Sequence, residues 1–293
     1  MNKSTSSQNI LKGSLLALNA FFLMAVFGIL TKFSLQTSSF LWTSFIAYFT
    51  GSSVLTPYIL RKGPSYLKSA HYGKLIGRAV FGTMASFLYT VSLQFIPIVN
   101  GTLLFNTAPI FIPLLSLIFL RTNISRSIWI AVAIGFFGII LIIHPTAEIF
   151  TQTGNIVGLL SGIFLAIAYL LMKLLTGTDP GIRIIFYYLG IGACMQAPML
   201  PFYTMPDPLG ALYAALSGLM LLLAQVMLVT AYRFAQASEV GVYQYASVVF
   251  VGLFQWIFWN QTPTPSEILG ALFVIAAGII IIRSNDKTIQ ETV

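Results

Sequence analysis

The chain has 293 residues, of which 57% are hydrophobic and only 8% are charged. A water-soluble domain averages roughly a quarter charged residues, so a surface this poor in charge excludes an ordinary soluble enzyme and makes lipid the solvent for most of the molecule. The formal net charge of +8 would suggest nucleic acid in a soluble protein, but here the Lys and Arg are spread over several loops, and no nucleic-acid partner is expected.

Crossing a hydrocarbon core of ~30 Å takes about 20 apolar residues per helix. Ten such runs follow one another, at roughly 13–32, 40–60, 75–95, 98–120, 127–143, 155–173, 182–200, 209–230, 238–259 and 266–282. They are continuous, whereas the strands of a membrane barrel alternate. Over such lengths a backbone in lipid satisfies its own polar groups only as helix. The expected fold class is therefore an all-α integral membrane protein of ten transmembrane helices. Its connections are short and leave no room for a soluble catalytic domain. The first run follows Lys3 and Lys12, as a signal peptide would, but its length and the lack of a small-x-small cleavage site read as a retained helix. Cys194 stands alone inside the seventh run, which excludes an intrachain disulfide and reads as core filler.

Cytoplasmic loops carry excess Lys and Arg. One set of connections holds Lys3 and Lys12, then Arg61, Lys62, Lys68 and Lys74 with Arg78 just beyond, then Arg121 and Arg126, Arg183, Arg233, and finally Arg283 and Lys287. The opposite set holds Glu148, Asp207 and Glu267, with Lys32 as its basic neighbour. Both termini are expected in the cytoplasm of an inner or plasma membrane. That requires an even number of spans.

The two halves resemble each other. With an offset of 139, residues 92–143 lie over 231–283: Phe95 falls on Phe234, Phe111 on Phe250, Leu114 on Leu253 and Ser127 on Ser266. One extra residue then brings "FGII" at 137–140 onto "AGII" at 277–280, and earlier "GILTK" ending at Lys32 matches "YLLMK" ending at Lys173. Each half holds five spans, so the second enters the membrane upside down. The expected organisation is a cytoplasmic tail over 1–12, a first repeat over 13–143, an extracytoplasmic linker over 144–153, a second repeat over 154–283 and a cytoplasmic tail over 284–293. Two inverted halves about an in-plane axis recur in secondary transporters, which bind substrate near the midplane.

The five-plus-five layout, Lys32 and Lys173 closing the first and sixth helices, "AYRFAQASEVGVYQY" leading into the ninth, and Pro109 within the fourth together resemble EamA-type members of the drug/metabolite transporter superfamily. The resemblance covers essentially the whole chain. It implies ten helices, with the fifth and tenth peripheral and the others enclosing a central cavity. Members move amino acids, nucleotide-type metabolites, drugs and S-adenosylmethionine. The family usually has a Glu just after the fourth and ninth helices. Arg121 and Asn260-Gln261 stand there instead, so no role for those acids carries over.

Polar residues inside the apolar runs are the candidate site. Asn106 and Tyr245 occupy equivalent depths in the fourth and ninth helices, and Asn106 shares a face with Thr102, Pro109 and Pro113. Asn19, Tyr89, Tyr169, Gln225 and Tyr243 complete the substrate-binding candidates, each of which could instead make interhelical hydrogen bonds. Lys32, Arg78 and Glu239 are the gating or coupling candidates. Lys32 and Lys173 could equally snorkel and meet the negative ends of their helices. Arg78 could snorkel or reach into the cavity toward an anionic group. Glu239 could be an interfacial helix-start acid paired with Arg233, or a proton-coupling carboxylate. Gly135, Gly138, Gly270 and Gly278 suit close helix contacts or dimerisation.

These features predict a secondary transporter for a small polar or amphipathic metabolite, working by alternating access as a monomer or a homodimer. The competing classes are a membrane enzyme acting on lipid and a channel. Chemistry needs a base, nucleophile or metal ligands at workable spacing. His71 and His144 lack such partners, and no HExxH or GxSxG occurs. No cofactor, metal or enzymatic activity is expected.

Overall fold

A computed structural model of the chain describes residues 3–92, 95–96, 98–145, 154–260 and 262–290. Glu148 and Gln261 lie outside the described residues, as does most of the predicted linker 144–153. Among the described residues the secondary structure is helical, with no strands. Nine helical stretches among the described residues are long and apolar enough to cross a membrane. The second run forms helix α2 (Phe40–Lys62), which is long enough at 23 residues but is diluted by Thr, Ser and Gly and falls outside those nine.

Helices begin and end where their sequences direct. α1 spans Lys3–Ser34. α2 starts at Ser39, whose hydroxyl accepts from the Trp42 amide at 3.4 Å. α3 (Tyr72–Ser92) leads into α4 (Ile98–Phe105) and α5 (Ala108–Leu115). Pro109 has no N–H and its ring crowds the carbonyl four residues back, so the fourth run breaks in two. Pro113 lies one turn further on, and a π turn over Ser116–Leu120 follows. α6 (Arg126–Ile143), α7 (Gly154–Leu175) and α8 (Gly181–Gln196) come next. α9 (Pro208–Phe234) opens with Asp207, whose carboxylate accepts from the Gly210 amide at 2.7 Å, ahead of a proline at the first helical position. The ninth run is also broken, into α10 (Ala237–Val242) and α11 (Gln244–Trp259), and α12 covers Pro265–Gln290.

Two local features recur at one spacing. Arg121 and Asn260 are 139 positions apart, and each ends its run in the left-handed region, with φ of 51° and 53°. The breaks at Asn106–Thr107 and at Tyr243 fall within two or three residues of that same offset. The packing follows a matching pattern: α1 lies along α9, α3 along α7, α2 against α8 and α6 against α12. Exchanging the two halves turns the first pair into the second and returns each of the last two to itself.

α6 and α12 cross at their glycines. A Cβ built at Gly138 would fall 2.6 Å from the Gly270 carbonyl oxygen, so the backbones touch and these glycines are used within the chain. The far side of α12 exposes Ile268, Leu272, Ile275 and Ile279, while Val274, Ala277 and Ile281 are buried. A helix this apolar on its outward face is solvated by lipid. Cys194 is likewise exposed on α8 rather than packed inside, because the outer face of that helix meets lipid and has no need of polar residues.

Candidate functional site

Hydrogen bonds fix which helix ends lie together. The Ser34 hydroxyl donates to the Gly210 carbonyl at 2.9 Å and lies 2.9 Å from the Thr43 hydroxyl. The Thr37 hydroxyl donates to the Asp207 carboxylate at 2.6 Å. The end of α1, the start of α2 and the start of α9 therefore share one end of the bundle. A cavity of roughly 150 Å³ opens there between α2, α3 and α8, walled by Phe40, Leu41, Met84, Phe87 and Met199. Tyr48 lines it two turns below Phe40. The opposite end of α9, about 40 Å away along a 27-residue helix, carries a second hollow lined by Lys173, Thr176, Tyr232 and Arg233.

Buried polar groups on α2, α3, α7, α8 and α9 lie between these two regions. Arg78 on α3 is 2% exposed. Its Nη2 donates to Gln225 Oε1 on α9 at 3.1 Å, and its guanidinium carbon lies 4.1 Å from the centre of the Tyr188 ring on α8. The Tyr188 hydroxyl is 2.6 Å from that of Tyr48. Tyr169 of α7 and Tyr232 of α9 are also buried, with ring centres 6.1 Å apart. Two glycines make the room: a Cβ at Gly82 would strike the Arg78 guanidinium, and one at Gly192 would strike the Tyr48 ring.

Among the described side chains, no carboxylate pairs with the charge of Arg78. The ion pair among the described residues joins Asp179 to Arg183 at 2.7 Å, and His71 Nδ1 lies 3.8 Å from the same carboxylate. The other carboxylates with described side chains serve backbone amides: Asp207 at Gly210, Glu239 at Gln236 and Glu267 at Thr264. Arg78 Nε, the Tyr232 hydroxyl and the Thr83 hydroxyl are buried with no hydrogen-bond partner.

The hollow at the far end is closed by Lys173. Its ammonium donates to the Tyr232 carbonyl at 2.6 Å and the Ala235 carbonyl at 2.7 Å, so it caps the negative end of α9 from the last turn of α7. Lys32, its counterpart in sequence, is exposed in the last turn of α1. Glu239 is buried and completes a capping box, accepting from the Gln236 amide at 2.8 Å. Arg233 does not pair with it and reaches the Asp179 carbonyl at 3.4 Å. Asp179 sits in the connection between α7 and α8. Burial raises its pKa, but hydrogen bonds from Arg183, Ser69 and Thr178 and the Arg183 charge outweigh this and hold it below the ordinary carboxylate value.

The remaining candidates lie apart from Arg78. Asn106, at the break between α4 and α5, accepts from Gln244 Nε2 at 3.3 Å and donates to the Thr102 carbonyl. Gln244 stands at the other break, so this pair ties the two interruptions together. The Tyr89 hydroxyl lies 3.0 Å from that of Thr102. Tyr243 turns toward the Gly278 carbonyl of α12, and Tyr245 is fully buried against Gly135 of α6. Asn19 is exposed and donates back to Leu15 of its own helix. Of the sequence candidates, then, Arg78 and Gln225 meet, and Tyr169 packs against Tyr232. Tyr48, Tyr188, Tyr232 and Gln244 belong to these networks and were not read from sequence.

The sequence profile of the EamA-like transporter family matches residues 11–144 and again 152–283. The chain is 27% identical over 279 residues to the pseudopaline exporter CntI of Pseudomonas aeruginosa strain UCBPP-PA14, covering 93% of this chain and 96% of that protein. It is 25% identical over 256 residues to an S-adenosylmethionine uptake transporter of Rickettsia bellii, covering 85% and 86%. A riboflavin transporter of Rhizobium johnstonii is 25% identical over 231 residues, covering 78% and 76%. A solved crystal structure shares the fold with a TM-score of 0.78 at 16% identity, covering 92% of this chain and 96% of its own. Apolar helices with lipid-facing sides, a buried polar centre and two consecutive matches that take in most of the sequence have one common reading: the chain is an integral membrane protein and belongs to the EamA-like transporter family.

Proposed function

We propose that the protein is a secondary transporter that carries a small polar or amphipathic metabolite across an inner or plasma membrane by alternating access. In this reading α2 is the tenth span, both termini are cytoplasmic, and 13–143 and 154–283 are inverted repeats joined by an extracytoplasmic linker. The exchange pattern of helix contacts, the paired left-handed residues Arg121 and Asn260 and the doubled family match support that arrangement. The cavity beside Tyr48 then faces outward, and Lys173 closes the cytoplasmic side.

The observation that carries the transport reading is the buried polar cluster of Arg78, Gln225 and Tyr188, linked to one cavity through Tyr48, with the buried pair Tyr169–Tyr232 bordering the opposite hollow. Polar groups inside a membrane bundle are costly and mark substrate pathways. A site reachable from alternate ends, but walled from both at once, is what rocking of two repeats requires. Arg78, Gln225 and Tyr169 are the central residues of this site. Asn106, Tyr89, Tyr243, Tyr245 and Asn19 are proposed to support or line its approaches, and Lys32, Lys173 and Glu239 to act at its ends. The relatives' names frame the candidates: S-adenosylmethionine, riboflavin and pseudopaline, beside amino acids, nucleotide-type metabolites and drugs.

The test is counterflow in liposomes. Purified protein is screened against these compounds by thermal shift, and each hit is measured for exchange. Saturable exchange of at least one hit supports a carrier. Absence of exchange for every hit, or flux that rises linearly without saturating, overturns it.

A further inference from the structure

We infer that Arg78 binds the carboxylate of an organic substrate whose body is largely apolar. This rests on the transporter reading and adds the substrate's chemical class. An arginine cannot shed its proton at physiological pH, and a buried cation carries a large desolvation penalty unless an anion repays it. Arg78 is 2% exposed, yet every carboxylate with a described side chain is engaged elsewhere, on His71 and Arg183 or on backbone amides. Gln225 takes one N–H, the Tyr188 ring takes one face, and Nε–H is left without a partner. A guanidinium presents five donors in a rigid fork that suits a two-oxygen anion. An unfilled fork with an unpaired charge at the centre of a transporter is a site awaiting its anion.

Charge and shape narrow the class. One cation matches one negative charge, which a carboxylate supplies and a free phosphate exceeds. The neighbouring cavity is walled by Phe40, Leu41, Met84, Phe87 and Met199, which offer contact to an apolar body and little to a polyol. Tyr48 lines that cavity and is joined through its hydroxyl to Tyr188, whose ring carries the guanidinium. Breaking the Tyr48–Tyr188 contact would bring a carboxylate from the cavity to Arg78. A substrate whose recognised group is cationic would meet a like charge here.

The experiment uses the purified full-length protein in detergent and reads thermal unfolding. The probes are 3-phenylpropionate, phenylalanine and leucine, each beside its methyl ester, with phenyl phosphate and inorganic phosphate as separate arms. At least one carboxylate should stabilise the wild type while its ester does not. Arg78→Gln should weaken that binding by about tenfold to a hundredfold, the scale of a charge-assisted hydrogen bond, and Arg78→Lys should retain part of it. Without ligand, Arg78→Gln should be at least as stable as the wild type, since it removes a buried unpaired charge. A markedly less stable Arg78→Gln would assign the arginine a purely structural role. That result, equal stabilisation by esters, undiminished binding to Arg78→Gln, binding of the phosphates alone, or no binding of any carboxylate would each overturn the inference. Counterflow separates this from the transport reading. If Arg78→Gln exchanges a neutral or cationic compound normally, transport stands and the carboxylate site falls. If the wild type binds a carboxylate through Arg78 but exchanges nothing, the site stands and transport falls.

Discussion

The hydroxyl groups of Tyr48 and Tyr188 lie 2.6 Å apart across the contact of α2 and α8. Their ring centres are 5.2 Å apart and steeply inclined, so the hydrogen bond and the ring packing act together. The two residues are 140 positions apart, between the offset of 141 that pairs Lys32 with Lys173 and the offset of 139 that holds from residue 92 onward. In the inverted-repeat reading they are one another's counterparts, meeting at the axis between the halves. A contact between counterparts can open toward either side, which suits a gate.

The pair should behave as a unit. Removing one hydroxyl leaves the other buried without its partner, and hydrogen bonds inside membrane bundles are worth about 0.5–2 kcal/mol. Tyr48→Phe and Tyr188→Phe should each lower stability by that order. The double variant should be no less stable than either single one. Unfolding of the four proteins in a double-mutant cycle measures this, and strictly additive losses would deny the coupling.

In the proposed orientation, Lys173 should hold the cytoplasmic end shut. Its ammonium satisfies two carbonyls at the end of α9, and no other described side-chain hydrogen bond meets either carbonyl. Lys173→Met removes both bonds and should loosen the junction of α7 and α9. In a Cys194→Ser background, a cysteine placed at Thr176, in the adjoining hollow, should react several-fold faster with an impermeant maleimide from the cytoplasmic side. Unchanged labelling would show that Lys173 caps the helix without gating it.

The sequence made the helices legible because long apolar runs have one solution in lipid. Pro109 is the physical cause of one of the two helix breaks, yet the fourth run reads in sequence as one helix over 98–120. The break at Tyr243 has no proline, so the ninth run reads as a continuous helix. On that reading Tyr245 falls toward the substrate, whereas the interrupted helix sets it over Gly135. Arg78, Gln225 and Tyr169 stood out as polar groups in apolar surroundings. Tyr48, Tyr188 and Tyr232 did not, because tyrosine is common at membrane interfaces and their pairing across helices depends on packing that no single run reveals. The spacing of 140 between Tyr48 and Tyr188, read against the flanking offsets, was the one clue to their pairing.

Asp179 should give the protein an acid-sensitive latch. Its folded pKa lies below the ordinary carboxylate value, so the ionised form is favoured by folding. The stabilisation is fully present above the unfolded-state value of about 4 and is lost as pH falls through the lower folded value. Thermal unfolding of the wild type should therefore steepen its loss of stability below about pH 4. Asp179→Asn should be less stable at neutral pH and lose less on acidification, so the two curves converge. Parallel curves across that range would place the acid sensitivity elsewhere.

Gly192 should be the least replaceable glycine on α8. A Cβ there meets the Tyr48 ring, with the Thr83 hydroxyl 2.9 Å away. Tyr48 is held between Gly192 and Tyr188, so an added methyl must push its ring toward the cavity it lines, and overpacking of this kind costs about 1–3 kcal/mol. Gly190 lies half a turn earlier on the same helix, and a Cβ there meets nothing within 4 Å. Gly190→Ala should leave stability unchanged or raise it by up to about 1 kcal/mol, the difference in helix propensity. The contrast separates a steric effect at Tyr48 from any general effect of alanine in α8. Gly192→Ala should unfold at a lower temperature than the wild type, and in liposomes its counterflow should fall further than its loss of folded protein explains, because the displaced ring breaks the bond to Tyr188. If Gly192→Ala matched Gly190→Ala in both measurements, the close approach of Tyr48 to α8 would have no bearing on transport.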